Sequence, residues 1–228
     1  MAKSVLAKSV LVLGNRNYSS WSLRGWLLVR QAGLDVEEIV IPLRTPETRP
    51  SILRHSPAGK VPALVDDGLQ VWDSLAIAEY CAERAPGAGI WPTDPAARAV
   101  ARSVSAEMHS GFQALRGAWP MNMARAKPPL QPSADVAADI QRISDIWTDC
   151  RRRFGKVAGA DGGDFLFGAW SAADAMYAPV CSRFVSYGAA LDPLSEQYVA
   201  AVMAHPMMRE WAAGAATETW TIPDIDAV

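Results

Sequence analysis

Cysteine is scarce in this chain of 228 residues: there are three, at positions 81, 150 and 181, and no Cys-x-x-Cys. That absence excludes a thioredoxin-type redox pair and a disulfide framework. The odd number and wide spacing, each cysteine inside an apolar helical pattern, predict buried thiols in a reducing cytoplasm. Histidine is equally sparse, and His55, His109 and His205 stand at no metal-ligand spacing with one another or with the cysteines, so no metal site is expected. Charge of one sign is missing too. With 22 basic and 24 acidic residues the net charge is −2, which gives no electrostatic reason to expect a nucleic acid or an anionic membrane as partner. No apolar run approaches the roughly 20 residues of a membrane span. The opening MAKSVLAKSVLVLG has a short, interrupted apolar stretch leading into a strand, so no signal peptide is expected. Without secretion, the glycosylation match at Asn17-Tyr18-Ser19 carries no weight. The loop 159–164 is rich in Gly and Asp but lacks the alternating ligands and closing Glu of a calcium loop. Neither an internal repeat nor a low-complexity tract is present.

What is there is strongly ordered. Val10-Leu11-Val12-Leu13 is a wholly apolar strand ended by Gly14, fit to be buried on both faces. After the loop Asn15–Tyr18, Ser19-Ser20 opens a helix that runs to about Gly33. Val36–Ile41 predicts a second strand, and strand, helix, strand at this spacing makes a βαβ unit. The segment 43–55, with Pro46 and Pro50, has room only for a short helix or a loop. The stretch Ser56–Arg84 then organises the chain. Pro57-Ala58-Gly59 is a turn, and Lys60-Val61-Pro62 enters the strand Ala63-Leu64-Val65. Asp66-Asp67-Gly68 signals a tight hairpin, Leu69–Trp72 returns, and Asp73-Ser74 precedes a helix with Ser74 in the capping position. A proline entering a strand belongs at its start or at an edge, and it makes a cis peptide accessible.

A helix start exposes unpaired N–H groups and partial positive charge, so Ser74 and the amides after it suit a carboxylate, while Asp73 suits an ammonium. In order and spacing this segment resembles the second half of the thioredoxin-like domain of cytosolic glutathione S-transferases. In that family a Val-cis-Pro loop meets the cysteinyl part of glutathione and an acidic-Ser pair holds its γ-glutamyl end. The resemblance implies that Lys60, Val61, Pro62, Asp73 and Ser74 bind glutathione as co-substrate, without a metal. Tyr18-Ser19-Ser20-Trp21-Ser22-Leu23-Arg24 is similar to the Ser-Ser-Cys-x-x-Arg segment of the zeta class, in which a serine faces the sulfur. Carried over, the catalytic hydroxyl is Ser19, with Ser20 second and Tyr18 behind both; Arg24 matches the family's arginine. Trp21 stands where the family has cysteine, which rules out a cysteine-based mechanism at this position. A hydroxyl and a helix N-terminus both favour S⁻ over SH, and a free thiol needs that help because its pKa is about 8.5.

Beyond the break Pro86–Pro92 the pattern becomes helical. Apolar residues keep three- and four-residue spacing from Ala97 to Trp119, predicting one helix up to Pro120. Ser133 caps a second long helix with the stripe Val136, Ile140, Ile143, Trp147, Cys150 and Phe154. Ser171-Ala172-Ala173-Asp174 is a capping-box variant, similar to the box that serves as a folding element in the transferase helical domain. Another helical stretch follows Pro206, and the tail from Thr217 stays unassigned. The expected architecture is therefore the glutathione transferase fold: a thioredoxin-like α/β domain over residues 1–86 and an all-α domain over 93–228. Met108, His109, Phe112 and Trp119 are placed by position to face a second substrate, although such residues at helical spacing more often form core. Arg183 is placed to neutralise an acidic one.

The resemblance implies a cytoplasmic, homodimeric, serine-type glutathione transferase that activates the thiol for attack on a small electrophile. Two alternatives stand beside it. One is a glutathione-dependent cis–trans isomerase of the maleylacetoacetate type; the other is a transferase-like binding module without turnover.

Overall fold

The computed structural model describes residues 9–155 and 163–228, so most of the loop 159–164 and the first eight residues lie outside the described part. Four strands, β1 (Val10–Gly14), β2 (Glu37–Ile41), β3 (Ala63–Asp66) and β4 (Leu69–Val71), form one sheet in the order β2-β1-β3-β4. β1 pairs parallel to β2 and antiparallel to β3, and β3 pairs antiparallel to β4. Leu11, Val12 and Leu13 have no exposed surface, as an apolar strand covered on both faces requires. The hairpin between β3 and β4 turns on Asp67 (φ 50°) and Gly68 (φ 82°), two consecutive positive φ values that favour a residue like Asp followed by Gly. Helices α1 (Ser20–Gln31), α2 (Thr48–Leu53) and α3 (Ser74–Arg84) complete this half.

The helical half comprises α4 (Pro95–Ser110), α5 (Gln113–Ala118), α6 (Ala134–Phe154), α7 (Ala172–Tyr187), α8 (Pro193–Ala204), α9 (Pro206–Ala216) and α10 (Pro223–Asp226). The single helix expected from Ala97 to Trp119 is in fact two. Gly111 is extended and Phe112 takes φ 57°, ψ 45°, which breaks the helix while Met108, Phe112, Leu115 and Trp119 all remain buried. Burial continued through the break, so the apolar period did not register it. α8 and α10 had no counterpart in the sequence-based expectation.

One cluster of buried residues runs without interruption from Leu11, Leu23 and Trp26 through Trp147 and Tyr177 to Trp211. α1 lies at its centre, against α3 on one side and α7 on the other. Cys81, Cys150 and Cys181 are free and buried, and burial pushes the thiols of Cys81 and Cys150 up to about 12. The start of α7 is tied by Asp174, which has no exposed surface. Its carboxylate accepts hydrogen bonds from the Leu166 N–H (3.1 Å), the Ser171 N–H and O–H (2.9 Å each) and the Tyr198 hydroxyl (3.1 Å).

The tail closes over the β1–α1 loop. Glu218 accepts from the N–H groups of Arg16 (2.7 Å) and Asn17 (3.1 Å). Ile222 and Ile225 bury Tyr18, whose hydroxyl donates to the Asp226 carboxylate at 2.9 and 3.0 Å. Asn122 donates to the same carboxylate at 2.9 Å.

Candidate active site

A cavity of about 320 Å³ opens between the two halves. Its sheet-side wall carries Lys60, Val61, Pro62, Asp73 and Ser74, so all five residues expected to meet glutathione are brought together. The facing wall carries Trp21, His109 and Arg116, with Trp72 at the rim.

The loop before β3 is held in place by a glycine. The Val61–Pro62 peptide is cis, and the Pro62 ring rests on α1 at Gly25, where an added Cβ would fall 2.6 Å from Pro62 Cγ. Alanine at 25 would improve helix propensity by about 1 kcal/mol, but forcing a methyl into a rigid ring costs about 1–3 kcal/mol. Gly25→Ala is therefore expected to lower the melting temperature and displace the loop. Thermal melts and a ligand titration check this; a variant more stable than the parent would show that the loop yields freely.

At the start of α3 the capping residue is Asp73 and not Ser74, as the sequence had suggested. Asp73 Oδ1 accepts from the N–H groups of Leu75 (3.0 Å) and Ala76 (3.4 Å), and a carboxylate at this place also complements the helix dipole. Ser74 is the first helical residue, and its hydroxyl is fully buried without a hydrogen-bond partner. A buried hydroxyl left unpaired costs free energy, and here it sits on the cavity wall. Asp73 Oδ2 accepts from His109 Nε2 at 2.9 Å, a contact between the two halves that the sequence gave no means of pairing. His109 Nδ1 is buried and unpartnered, and its ring meets Trp21 edge-on at 5.1 Å.

Arg116 is the residue sequence reasoning missed, because one continuous helix would have placed it differently from a helix that restarts after Phe112. Its Nη1 donates to the carbonyls of His109 (3.3 Å) and Gly111 (3.2 Å), and its guanidinium lies 4.6 Å from the Trp21 ring centroid. Arg24 approaches the same ring at 4.5 Å. Arg24 is fully buried; Nε donates to the Met176 carbonyl at 2.8 Å, and both Nη atoms lack partners. Burial, then Arg183 and Arg116, hold its pKa well below the usual value. Arg183, expected to reach an acidic substrate, is instead enclosed and donates to the carbonyls of Trp119 (2.8 Å) and Pro179 (3.2 Å). Met108, Phe112 and Trp119 belong to the core.

Neither Ser19 nor Ser20 is on the cavity wall proper. Ser19 caps α1: its Oγ accepts from the Ser22 N–H (3.3 Å) and donates to Ser22 Oγ (2.9 Å), which also takes the Gly14 N–H (2.8 Å). Ser20 opens α1 and its hydroxyl makes no hydrogen bond among the described residues. Tyr18 is committed to Asp226. No cluster of three or more potential metal ligands occurs among the described residues.

Comparison with known proteins places this geometry. Residues 18–84 match the glutathione S-transferase N-terminal domain. A probable maleylacetoacetate isomerase from Caenorhabditis elegans is 37% identical over 108 residues, 47% of this chain and 50% of that protein. The maleylacetoacetate isomerase of Rattus norvegicus is 35% identical over 112 residues, 48% and 51% of the two chains. The matched region thus spans about half the length of these curated relatives. A glutathione transferase homolog from Burkholderia GL BGR1, solved with bound glutathione, superposes with a TM-score of 0.69 at 22% identity, covering 93% of this chain and 100% of that one. The protein therefore carries the glutathione transferase fold, and its residues 18–84 match the model of the glutathione S-transferase N-terminal domain.

Proposed function

We propose that this protein is a glutathione transferase that binds glutathione in the cavity between its halves and delivers the thiolate to a small electrophile. The observation that carries the proposal is the buried, unpartnered Ser74 hydroxyl at the start of α3, on the cavity wall beside Asp73 and Pro62. In this reading the Ser74 hydroxyl and its own N–H receive the γ-glutamyl carboxylate, while Asp73, which caps the next amides of α3, receives its ammonium. The Val61 backbone aligns the cysteinyl unit, and Lys60, exposed at the mouth, takes the remaining carboxylate. The sulfur then lies toward the start of α1, where the helix N-terminus and the Ser19–Ser20 pair favour its ionised form. No metal enters this chemistry. A second copy of the chain is the partner the reading implies, in the cytoplasm.

A second reading is favoured by the relatives named maleylacetoacetate isomerase: the same thiolate adds reversibly to a double bond and isomerises it. Retention on immobilised glutathione, followed by turnover of 1-chloro-2,4-dinitrobenzene and of maleylacetoacetate, separates the two. Retention without either turnover would leave a binding module; no retention would end the proposal.

Asp73→Asn gives a sharper test, because it keeps a good capping residue and removes the charge. Stability is expected to change by less than about 1 kcal/mol, while the loss of a charge-assisted bond to the ligand ammonium costs about 1.5–3 kcal/mol, or ten- to a hundredfold in Kd. Calorimetric titration with glutathione measures it, and an unchanged Kd would remove Asp73 from the site.

A further inference from the structure

We infer that His109 is a positioning residue of the glutathione site, reaching it from the helical half, and that its protonated form competes with glutathione's ammonium for Asp73. The inference rests on the proposed glutathione site and adds to it a control by pH.

Asp73 has one oxygen left for a ligand, and His109 already touches it. Oδ1 accepts from the N–H groups of Leu75 and Ala76, while Oδ2 accepts from His109 Nε2 at 2.9 Å. The carboxylate is thereby oriented from both halves of the molecule. Its side chain is still 52% exposed, so a ligand can reach Oδ2 with the imidazole in place. An ammonium bound there stands about 5 Å from Nε2, since both nitrogens lie at hydrogen-bond distance from one oxygen.

His109 has no second polar anchor. Its Nδ1 is buried without a partner among the described residues, and the ring otherwise packs edge-on against Trp21. The charged groups around it are Asp73 from α3, Arg116 from α5, whose Nη1 donates to the His109 carbonyl, and Arg24 from α1, which packs on the same indole. Lys60 lines the cavity from the loop before β3, and Asp73 is the one acidic residue on that wall.

A neutral imidazole donates through Nε2 without adding charge, so it holds Asp73 ready for the ammonium. An imidazolium keeps the same bond, strengthens it, and sets a second positive charge beside the ligand's own. Two like charges this close oppose each other. Histidine is the side chain that changes charge near neutral pH. Acidification should therefore weaken glutathione binding, and binding should expel a proton; by linkage these are one statement.

The probe is S-methylglutathione, which has no thiol to titrate, beside its analogue with hydrogen in place of the α-ammonium. Calorimetric titration at about pH 5.5 and about pH 7, and near pH 6 in two buffers of different ionisation enthalpy, gives affinity and proton release. The parent is expected to bind S-methylglutathione at least about fivefold more weakly at the lower pH and to release a proton on binding. The ammonium-free analogue should show neither effect. His109→Gln, which cannot become charged, should bind S-methylglutathione within about twofold at both pH values. His109→Phe, which keeps a ring against Trp21, replaces it should the Gln variant not fold; proton release from the parent with the two ligands decides without either. A pH-independent Kd in the parent, the same pH dependence in the variants, or one shared by the ammonium-free analogue overturns the inference while leaving glutathione binding intact. Failure of the parent to bind S-methylglutathione at about pH 7 strikes the proposed function, and this inference with it.

Discussion

Asp174→Ala is expected to destabilise the protein by about 3–5 kcal/mol, because it leaves four buried donors unpaired at about 1–3 kcal/mol each, offset in part by local relaxation. Four donors converge on this carboxylate. Truncating it strands them all in a site without water access, and each orphaned group carries its own desolvation cost. Burial pushes the Asp174 pKa up to about 6 against the pull of those donors, so the group is ionised at neutral pH but at some expense. Natural domains have only about 5–15 kcal/mol of net stability, and this one change consumes a large part of it. Ser171→Ala, which removes one donor and leaves the carboxylate three, should cost nearer 1 kcal/mol. Urea titrations of both variants without ligand measure the difference. A loss below about 1 kcal/mol for Asp174→Ala would mean that the α7 start is held by packing alone.

The second large effect concerns the thiol. Ser20→Ala is expected to leave glutathione bound but to raise the pKa of its sulfur by about one to two units, since a hydrogen bond to a charged group is worth about 1.5–3 kcal/mol. The rate at pH 7 should then fall about ten- to a hundredfold and recover partly as pH rises. The loss belongs in turnover because the serine is asked only to favour S⁻ over SH. Sequence order put Ser19 first for this role. In the structure, however, Ser19 spends its hydroxyl on Ser22, within a chain of bonds that pins α1 to Gly14. Ser20 has a proton to offer. Ser19→Ala should accordingly act on stability, by about 1 kcal/mol as a lost cap. Titrating the thiolate absorbance of bound glutathione in each variant decides between them. If Ser19→Ala moves the titration and Ser20→Ala does not, the role returns to Ser19; if neither does, a backbone amide of α1 carries it.

The contrast between the two serines shows what a sequence can and cannot specify here. Local signals were enough for β1, α1, the β3–β4 hairpin and the cap of α6, because each depends on residues within a turn or two of one another. The grouping of Lys60, Val61, Pro62, Asp73 and Ser74 on one cavity wall was legible for the same reason: Lys60 through Ser74 is a contiguous stretch with its own turn chemistry. What escaped was set by distant pairing. Which serine keeps a free hydroxyl depends on Ser22 and Gly14 lying beside the cap. The His109–Asp73 contact joins α4 to α3. Arg116 lines the cavity because Phe112 adopts a left-handed conformation that restarts the helix, while the residues buried on both sides of it keep an otherwise unbroken apolar rhythm. Arg183 was misplaced by the same limit, since its position on α7 says nothing of the carbonyls that enclose it.

The tail has a consequence of another kind. Glu218, Ile222, Ile225 and Asp226 grip the loop from Arg16 to Tyr18 directly before the serines, yet none of the four lines the cavity. On the proposed function, sulfur reactivity and electrophile choice would therefore be adjusted from separate stretches of the sequence. In that reading residues 218–226 set the posture of the serine loop, while those around Arg116 set what the thiolate meets. A mutagenesis library confined to the cavity wall would therefore leave the tail's grip on the serine loop unsampled.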